Sequence, residues 1–302
     1  MQIARVVPLV LLSMAFRLPA SAQSPAQPGL VVTAAWVAEH QPQGKLVLLH
    51  IGDRAEYDRG HIPGARFIST QDISDPDARL RLQMASVPRL RDAFERLGIG
   101  DESQVVLYFG TDWVSPTARV FVALDFMGLG ARTAVLDGGL AAWRAAGRPV
   151  STDVPVVTRG TLTPRPQEAA IADTAWVAAH LHSPGVAIVD ARTPEFFTGE
   201  SDARGSIPRP GHIAGAVSIP FNVLNEENLT LKDAAVLREL LTKAGVKPGD
   251  EVVTYCHIGQ QASHVYFVAK YLGYKVRLYD GSYEEWAARP ELPIERAPDK
   301  RE

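Results

Sequence analysis

The chain has 302 residues, of which 46% are hydrophobic and 22% are charged, a composition typical of globular proteins. This length is enough for two domains of ordinary size. The net charge of −3 and the lack of any Lys/Arg cluster argue against nucleic-acid binding. Beyond the amino terminus no stretch approaches the ~20 apolar residues of a transmembrane helix, so no membrane span is expected.

Residues 1–22 have the features of a signal peptide. Arg5 forms a short basic region, Val6 to Phe16 form an apolar segment of suitable length, and Ala20-Ser21-Ala22 is a small-x-small cleavage site. We therefore expect cleavage near Ala22 and a periplasmic or secreted protein. Most cysteines pair in an oxidising compartment, but Cys256 has no partner in its chain. It is therefore either buried and inert or a free reactive thiol.

The rest of the chain contains one pattern twice. Each copy opens with a short helix that carries a Trp, continues into an apolar strand and reaches a Gly-His-Ile-x-Gly-Ala turn. An amphipathic helix, a second apolar strand, a loop and another helix follow, and an Asp-Gly motif closes each copy. The matched segments are VTAAWVAEH and ADTAWVAAH (32–40 and 172–180), GHIPGARFI and GHIAGAVSI (60–68 and 211–219), LRDAFERLGI and LRELLTKAGV (90–99 and 237–246), QVVLYF and EVVTYC (104–109 and 251–256), and AVLDGGLAAW and VRLYDGSYEEW (134–143 and 276–286).

Strands that alternate with helices and short loops predict an α/β fold. We expect two tandem domains, each a mostly parallel sheet flanked by helices. The N-terminal domain is placed at residues 30–150 and the C-terminal domain at residues 169–298. Residues 151–168 between them are rich in Pro and Thr and lack helical periodicity, which indicates an extended linker across the domain interface.

Several polar motifs are assigned structural roles. His61 and His212 lie in the Gly-His-Ile turns, where a His more often bonds the backbone than binds a metal. Asp137 and Asp280 begin the closing motifs and are expected to be helix N-caps. The His-x-His pair that starts at His180 has no Cys or acidic residue at ligand spacing, so no metal site is expected.

Cys256, the only cysteine, is expected in a loop between a strand and a helix. The apolar run VVTY (252–255) precedes it, and a helical pattern of apolar residues starts at Val265. Loop N–H groups and a helix N-terminus favour negative charge, which predicts a depressed thiol pKa and a nucleophilic sulfur. The first copy has Phe109 at this position. The N-terminal domain is therefore expected to lack thiol chemistry and to form one wall of a cleft.

Together these motifs resemble the tandem-domain rhodaneses, the sulfurtransferase family that includes thiosulfate and 3-mercaptopyruvate sulfurtransferases. The resemblance covers residues 31–296. It rests on the two GHIxGA turns, the DGG/DGS-x3-W endings and the single Cys in the loop of the second copy. It implies an inactive N-terminal domain, a catalytic C-terminal domain and a persulfide formed on Cys256.

The loop CHIGQQA (256–262) suits this chemistry. Gly259 permits the backbone to curl around the sulfur, and the N–H donors would stabilise a thiolate or the terminal sulfur of a persulfide. We expect Cys256 to take the outer sulfur of thiosulfate, or alternatively of mercaptopyruvate, and to pass it to cyanide or a thiol. This is covalent catalysis that needs neither metal nor organic cofactor.

Two other functions are compatible with parts of this pattern. Phosphatases and arsenate reductases with a related loop carry an Arg six residues after the Cys, which grips the dianion. Ala262 stands at that position here, which disfavours phosphoryl transfer. An exported, non-catalytic binding module that uses the domain cleft for a partner stays an alternative.

The loop sequence bears on the choice of donor. Mercaptopyruvate enzymes of the family resemble one another in the loop Cys-Gly-Ser-Gly-Val-Thr, whereas thiosulfate enzymes place Arg or Lys beside the Cys. A protonated His257 would supply positive charge, and Gln260 and Gln261 would donate hydrogen bonds to sulfonate oxygens, which favours thiosulfate. The predicted donor-binding residues are His257, Ile258, Gly259, Gln260, Gln261, Ala262, Arg204 and Arg192.

The resemblance also implies two arginines that bind the substrate anion. Counted from Asp190, the first of these positions holds Phe196 here, and the second falls next to Arg204. We therefore expect Arg204 to bind the anion through a one-residue shift, with Arg192 and Arg209 as nearby alternatives.

Overall fold

The computed structural model describes residues 28–111 and 114–296. The predicted signal peptide, residues 1–22, lies outside the described residues. No helix in the described part of the chain is long and apolar enough to span a membrane.

The N-terminal half forms a five-stranded sheet with helices on both sides. Its strands are β1 Val31–Val32, β2 Leu46–Ile51, β3 Arg66–Ile68, β4 Gln104–Phe109 and β5 Thr133–Leu136, and its helices are α1 Ala34–His40, α2 Arg54–Arg59, α3 Val87–Arg96, α4 Val114–Phe126 and α5 Gly139–Ala145. The strand order is β1-β5-β4-β2-β3, and every pair is parallel. The central strands are buried on both faces, which is why they are continuous apolar runs in the sequence.

The C-terminal half repeats this arrangement. Its strands are β6 Ile171–Ala172, β7 Val186–Asp190, β8 His212–Ile213, β9 Val217–Ser218, β10 Glu251–Tyr255, β11 Lys275–Tyr279 and β12 Ile294–Glu295, and its helices are α6 Thr174–Ala179, α7 Pro194–Thr198, α8 Ala234–Lys243, α9 Gln260–Tyr271 and α10 Ser282–Ala287. The parallel sheet has the order β6-β11-β10-β7-β9, and β8 pairs with β12 in a separate antiparallel ribbon. The predicted α/β fold with two mostly parallel sheets is confirmed.

The two halves meet along α4 and α9, which occupy equivalent places in the two copies. Phe121 and Phe267 pack edge to face with ring centroids 4.9 Å apart. Asp125 on α4 accepts hydrogen bonds from the Tyr266 hydroxyl, at 2.5 Å, and from the Lys270 ammonium on α9. One continuous apolar cluster contains residues from both sheets and from both of these helices. The halves therefore share a core.

The turn histidines bond the backbone, as expected. His61 is fully buried; its Nδ1 lies 2.8 Å from the Tyr57 carbonyl oxygen, and its Nε2 lies 3.1 Å from the Asp153 carbonyl oxygen. His212 Nδ1 lies 2.7 Å from the Phe197 carbonyl oxygen.

The segment between the two halves, residues 152–167, contains neither helix nor strand. It runs beside the N-terminal half, where the Gly160 N–H donates to the Glu95 carbonyl oxygen.

The expectation that Asp137 and Asp280 cap helices is wrong. The side chain of Asp137 accepts a hydrogen bond from the backbone N–H of Leu231 in the other half of the molecule, at 2.8 Å. Asp280 accepts the equivalent bond from the backbone N–H of Met84, also at 2.8 Å. The paired Asp-Gly motifs therefore join the two halves, a role that depends on how the halves pack.

Candidate active site around Cys256

Cys256 lies at the carboxyl end of the central strand β10, where the chain turns into α9. Its side chain is fully buried. Gly259 ends the turn in the left-handed conformation with φ of 84°, a conformation that strains any residue with a Cβ atom. The predicted strand, loop and helix around the cysteine are confirmed.

The sulfur is surrounded by backbone donors. The amides of Ile258, Gly259, Gln261 and Ala262 form hydrogen bonds to the Cys256 sulfur, and each bond lowers its pKa. Burial acts in the opposite direction and is the larger effect, so the pKa of the Cys256 thiol is raised. The expectation of a depressed pKa is therefore wrong, because burial destabilises the thiolate more than the four backbone hydrogen bonds stabilise it.

The closing motif of the second copy holds the base of this loop. The Ser282 hydroxyl accepts a hydrogen bond from the Cys256 N–H at 3.3 Å and donates one to the Tyr279 carbonyl oxygen at 2.9 Å. The Tyr283 N–H donates to the Cys256 carbonyl oxygen at 2.9 Å. The position of the cysteine is therefore set by the strand before it and by the start of α10.

The N-terminal half covers the cysteine loop, as predicted for one wall of a cleft. Ile258 and residues between 71 and 82 line an open cavity of about 440 Å³, and Arg79 and Arg81 are part of this wall. The covering segment is tied down where the Arg81 Nε donates to Glu284 at 2.9 Å. A cavity between the two halves therefore borders the loop that carries Cys256.

Sequence reasoning missed Arg119, which lies on α4 and reaches across the interface. Its side chain is fully buried and pairs with Asp280 through Nη2 and Oδ1, 2.5 Å apart. The same Nη2 donates to the Leu82 carbonyl oxygen at 2.7 Å. Nε and Nη1 have no hydrogen-bond partner among residues 28–111 and 114–296. A Cβ atom built on Gly259 would lie 3.2 Å from Nη1, so this guanidinium borders the cysteine loop.

The signal that would have revealed Arg119 was present in the sequence. It is the one basic residue within VSPTARVFVALDF, a segment whose described side chains are almost all buried. A buried arginine requires a carboxylate or several carbonyl groups as partners. The identity of that partner, Asp280 of the other half, depends on how the halves dock.

The proposal that a protonated His257 supplies positive charge is wrong. Its ring is half-buried and packs edge-on against Phe196, with centroids 4.5 Å apart. Burial is the main cause that lowers the pKa of His257 to about 4, and the nearby charge of Arg192 acts in the same direction. The imidazole is therefore neutral at neutral pH.

The predicted arginines are not brought together at the sulfur. Arg192 is fully buried and pairs with Asp190, with Nη2 and Oδ2 2.5 Å apart, and it lies 4.0 Å above the Tyr283 ring. Arg192 is therefore held in a buried ion pair, and its Nη1 has no hydrogen-bond partner within the described residues. A role for Arg192 in donor binding stays a prediction. Arg209 donates to the carbonyl oxygens of Arg289 and Leu292, at 2.5 and 2.6 Å.

The remaining predicted residues differ in position. Arg204 is exposed in a turn, with φ of 58°. Gln260 and Gln261 are the first residues of α9, and the Gln261 side-chain oxygen is buried without a partner in the described chain. Ala262 is fully buried and contributes its amide to the sulfur. The donor set at Cys256 is therefore made of backbone groups.

Comparisons with known proteins agree with this architecture. A family model described as Rhodanese-like domain matches residues 33–146 and 173–289. The chain is 35% identical over 285 residues to the sulfur carrier protein TtuD of Thermus thermophilus, covering 89% of this chain and 97% of the relative. It is 31% identical over 278 residues to the thiosulfate sulfurtransferase of Azotobacter vinelandii, covering 88% of this chain and 97% of the relative.

Solved structures share the fold. Wild-type EanB has a TM-score of 0.81 and 24% sequence identity, covering 90% of this chain and 70% of that chain. The anaerobic ergothioneine biosynthesis enzyme from Chlorobium limicola, solved with trimethyl histidine, has a TM-score of 0.80 and 24% identity, covering 89% and 71%. At this identity the likeness concerns the fold alone. The two matched segments and the relatives of nearly equal length place this chain in the rhodanese family, with two rhodanese-like domains in tandem.

Proposed function

We propose that the protein is a sulfurtransferase that carries a sulfane sulfur on Cys256 as a persulfide. The observation that carries this proposal is the set of four backbone N–H groups around a lone buried cysteine at a strand end. Such donors stabilise an anionic sulfur without side-chain chemistry. Relatives named sulfur carrier protein and thiosulfate sulfurtransferase support the same class of reaction.

The proposed reaction has two displacements. The Cys256 thiolate, after its proton leaves to solvent, attacks the outer sulfur of thiosulfate. The S–S bond of the donor breaks, its electron pair leaves with sulfite, and a Cys–S–S⁻ group remains. Cyanide or an acceptor thiolate then attacks the outer persulfide sulfur, and the Cys256 thiolate is released as the leaving group. The loop amides face anionic sulfur at both stages.

We propose thiosulfate rather than mercaptopyruvate as the donor. His257 is neutral and Phe196 fills the place of a family arginine, so the cysteine loop itself offers little positive side-chain charge. The covering segment brings Arg79 to the adjoining cavity, where a guanidinium group suits a dianion, and Arg81 lies beside it in its ion pair with Glu284. Arg204, which is exposed, stays a proposed donor contact.

Mass spectrometry and steady-state kinetics test the proposal together. Incubation of the full chain with thiosulfate is expected to add one sulfur atom to the protein, and cyanide is expected to remove it as thiocyanate. Cys256→Ser is expected to lower thiocyanate formation by at least ~1,000-fold, since the nucleophile is lost. Thr242→Ala, at an exposed position on α8 of the same half, is the control.

The alternatives give different results in the same assays. Turnover of mercaptopyruvate with none for thiosulfate would assign the other donor. If neither donor gave turnover or a mass gain, the proposal would be overturned and a non-catalytic binding module would be favoured.

We also propose that the protein is exported. Fractionation of cells that express the chain with and without residues 1–22 would test this.

A further inference from the structure

A second cavity lies beside the loop that follows Phe109, which is the equivalent of the Cys256 loop in the N-terminal half. Its volume is about 650 Å³, and its walls come from Thr111 and the start of α4 on one side and residues 221–229 on the other. The two cavities are related by the repeat. Residues near Met84 cover the Cys256 loop and bind Asp280, and residues near Leu231 cover the Phe109 loop and bind Asp137. The second cavity is therefore the degenerate copy of the proposed active site.

The charged groups beside the Phe109 loop differ from those beside the Cys256 loop. In the second copy, Asp190 on β7 pairs with Tyr255 on β10. In the first copy, His50 on β2 pairs in the same way with Tyr108 on β4. His50 and Gly52 are therefore the equivalents of Asp190 and Arg192. Glu56 turns toward the loop instead, and its Oε1 accepts a hydrogen bond from the Thr111 N–H at 2.5 Å.

The second oxygen of that carboxylate is unsatisfied. Glu56 Oε2 is buried and has no partner within the described ranges. The Glu56 carboxylate, which has no arginine partner in the described chain, thus lies behind Thr111. Thr111 is one of the residues that line the cavity.

His264 is one of the buried polar side chains that line this cavity. It precedes the α9 segment VYFVAKYLG as Arg119 precedes VFVALDFMG on α4, so the two are equivalent in the repeat. Its side chain is 2% exposed, and burial lowers its pKa to about 4, so the ring is neutral. A bond to the Phe221 backbone raises the pKa of His264, so the ring N–H donates to the carbonyl oxygen there.

The other ring nitrogen is then an acceptor. Nε2 is buried and has no partner among residues 28–111 and 114–296. A neutral imidazole with one N–H engaged presents a lone pair on the second nitrogen. The cavity therefore contains an acceptor that only a donor from a ligand or a water molecule can satisfy.

We propose that this cavity binds a small organic cation with N–H donors, a primary ammonium or guanidinium carried on an apolar body. Glu226 and Glu227 stand at its exposed rim, and His264 supplies the acceptor within. Val114, Phe221 and Leu229 form the apolar part of the wall. No lining residue in the described ranges is Lys or Arg, so an anion has no opposite charge to meet.

This inference is independent of sulfur transfer. The site lies on the half that carries Phe109 in place of the nucleophile, so binding does not require Cys256. The experiment is calorimetric titration of the full chain with phenethylamine as probe, with phenylacetate as the anionic counterpart of similar size. The titration is repeated with Cys256→Ser, which separates failure of this proposal from failure of the proposed function.

We expect saturable binding of one phenethylamine per chain and none of phenylacetate. The double variant Glu226→Gln/Glu227→Gln should weaken binding by about tenfold or more, because both rim charges are lost. Glu239→Gln, an exposed carboxylate on α8, should leave binding unchanged. His264→Asn tests the inner acceptor, and the rim variant keeps the test valid if that buried substitution prevents folding.

Three results would overturn the proposal. One is the lack of saturable heat with phenethylamine up to roughly 10 mM, a concentration well above a useful dissociation constant. Another is equal affinity for phenylacetate, which would remove the role of charge. The third is a rim variant that binds as well as the native chain.

Discussion

The sulfur of Cys256 experiences two opposing effects, enclosure in the protein and hydrogen bonding to four amides. Enclosure dominates in the free protein and keeps the proton on the thiol. The same amides oppose that effect and are already in place when an anionic sulfur forms, so no reorganisation is needed at that moment. At the residue scale, the four amides are therefore placed to stabilise an anionic sulfur, the form that the proposed reaction would produce.

The raised pKa predicts how Cys256 reacts with pH. Alkylation by iodoacetamide should increase through a midpoint above the ~8.5 of an ordinary thiol, because only the thiolate reacts. The rate against pH, with N-acetylcysteine in parallel, measures this. A rate already constant below roughly pH 8 would contradict it.

The raised pKa of Cys256 also predicts a dependence of stability on pH. The contribution of Cys256 to the free energy of unfolding should fall as pH rises above the ordinary thiol pKa, since the unfolded state loses the proton first.

Arg119 is predicted to be a positioning residue for the cysteine loop. Arg119→Gln removes the charge beside Gly259 and leaves Asp280 unpaired, so kcat/KM for thiosulfate should fall about tenfold to a hundredfold. The alkylation midpoint of Cys256 should rise further, and Arg119→Lys should restore part of both. Asp125→Asn also breaks a polar contact between α4 and α9, but it lies away from the loop. Equal effects from Asp125→Asn would show that Arg119 acts through domain docking alone.

At the scale of elements, the short connection from β10 to α9 concentrates the function. Four residues carry the chain from the strand end to the helix start, and the last of them, Gly259, has a left-handed backbone. The equivalent connection in the first copy begins after Phe109, whose ring lies where a Cβ on Gly139 would collide, at 2.7 Å. Equivalent strands and helices thus hold a cysteine surrounded by backbone amides in one half and a packed aromatic ring in the other.

A pair of glycine substitutions separates strain from contact at this connection. Gly259→Ala meets both a left-handed φ of 84° and the Arg119 guanidinium, whereas Gly185→Ala meets a similar φ of 80° with no atom within 4 Å. Each should lower the free energy of unfolding by about 1 kcal/mol through the backbone. Gly259→Ala alone should reduce sulfur transfer. Chemical denaturation and steady-state kinetics measure the two effects, and equal activity in both variants would contradict this reading.

At the scale of the whole molecule, one apolar cluster runs through both halves, so we expect the halves to unfold as one unit. The N-terminal half supplies the cover of the proposed active site, and the C-terminal half supplies the cover of the degenerate one. Each half thereby completes a cavity on the other. In the proposed reaction, the half that carries Phe109 would therefore contribute the cover of the Cys256 loop.

Thermal unfolding should therefore show a single cooperative transition. Calorimetry and circular dichroism are expected to give coincident midpoints, since neither half can unfold without exposing the shared core. Phe121→Ala, which removes an aromatic ring from the α4–α9 contact, should lower the unfolding free energy by about 3–5 kcal/mol while keeping one transition. Two resolved transitions in the native chain would contradict a shared core.

The internal repeat, the alternation of strands and helices and the strand–loop–helix context of Cys256 could all be read from residue order, because each depends on local periodicity and on turn chemistry. The contrast between Phe109 and Cys256 likewise needed only an alignment of the chain with itself. The docking of the halves determined the rest. It set the partner of Arg119, the cross-domain role of Asp137 and Asp280, and the second cavity. Burial decided the protonation of Cys256 and His257, since desolvation depends on atoms brought together from distant parts of the chain.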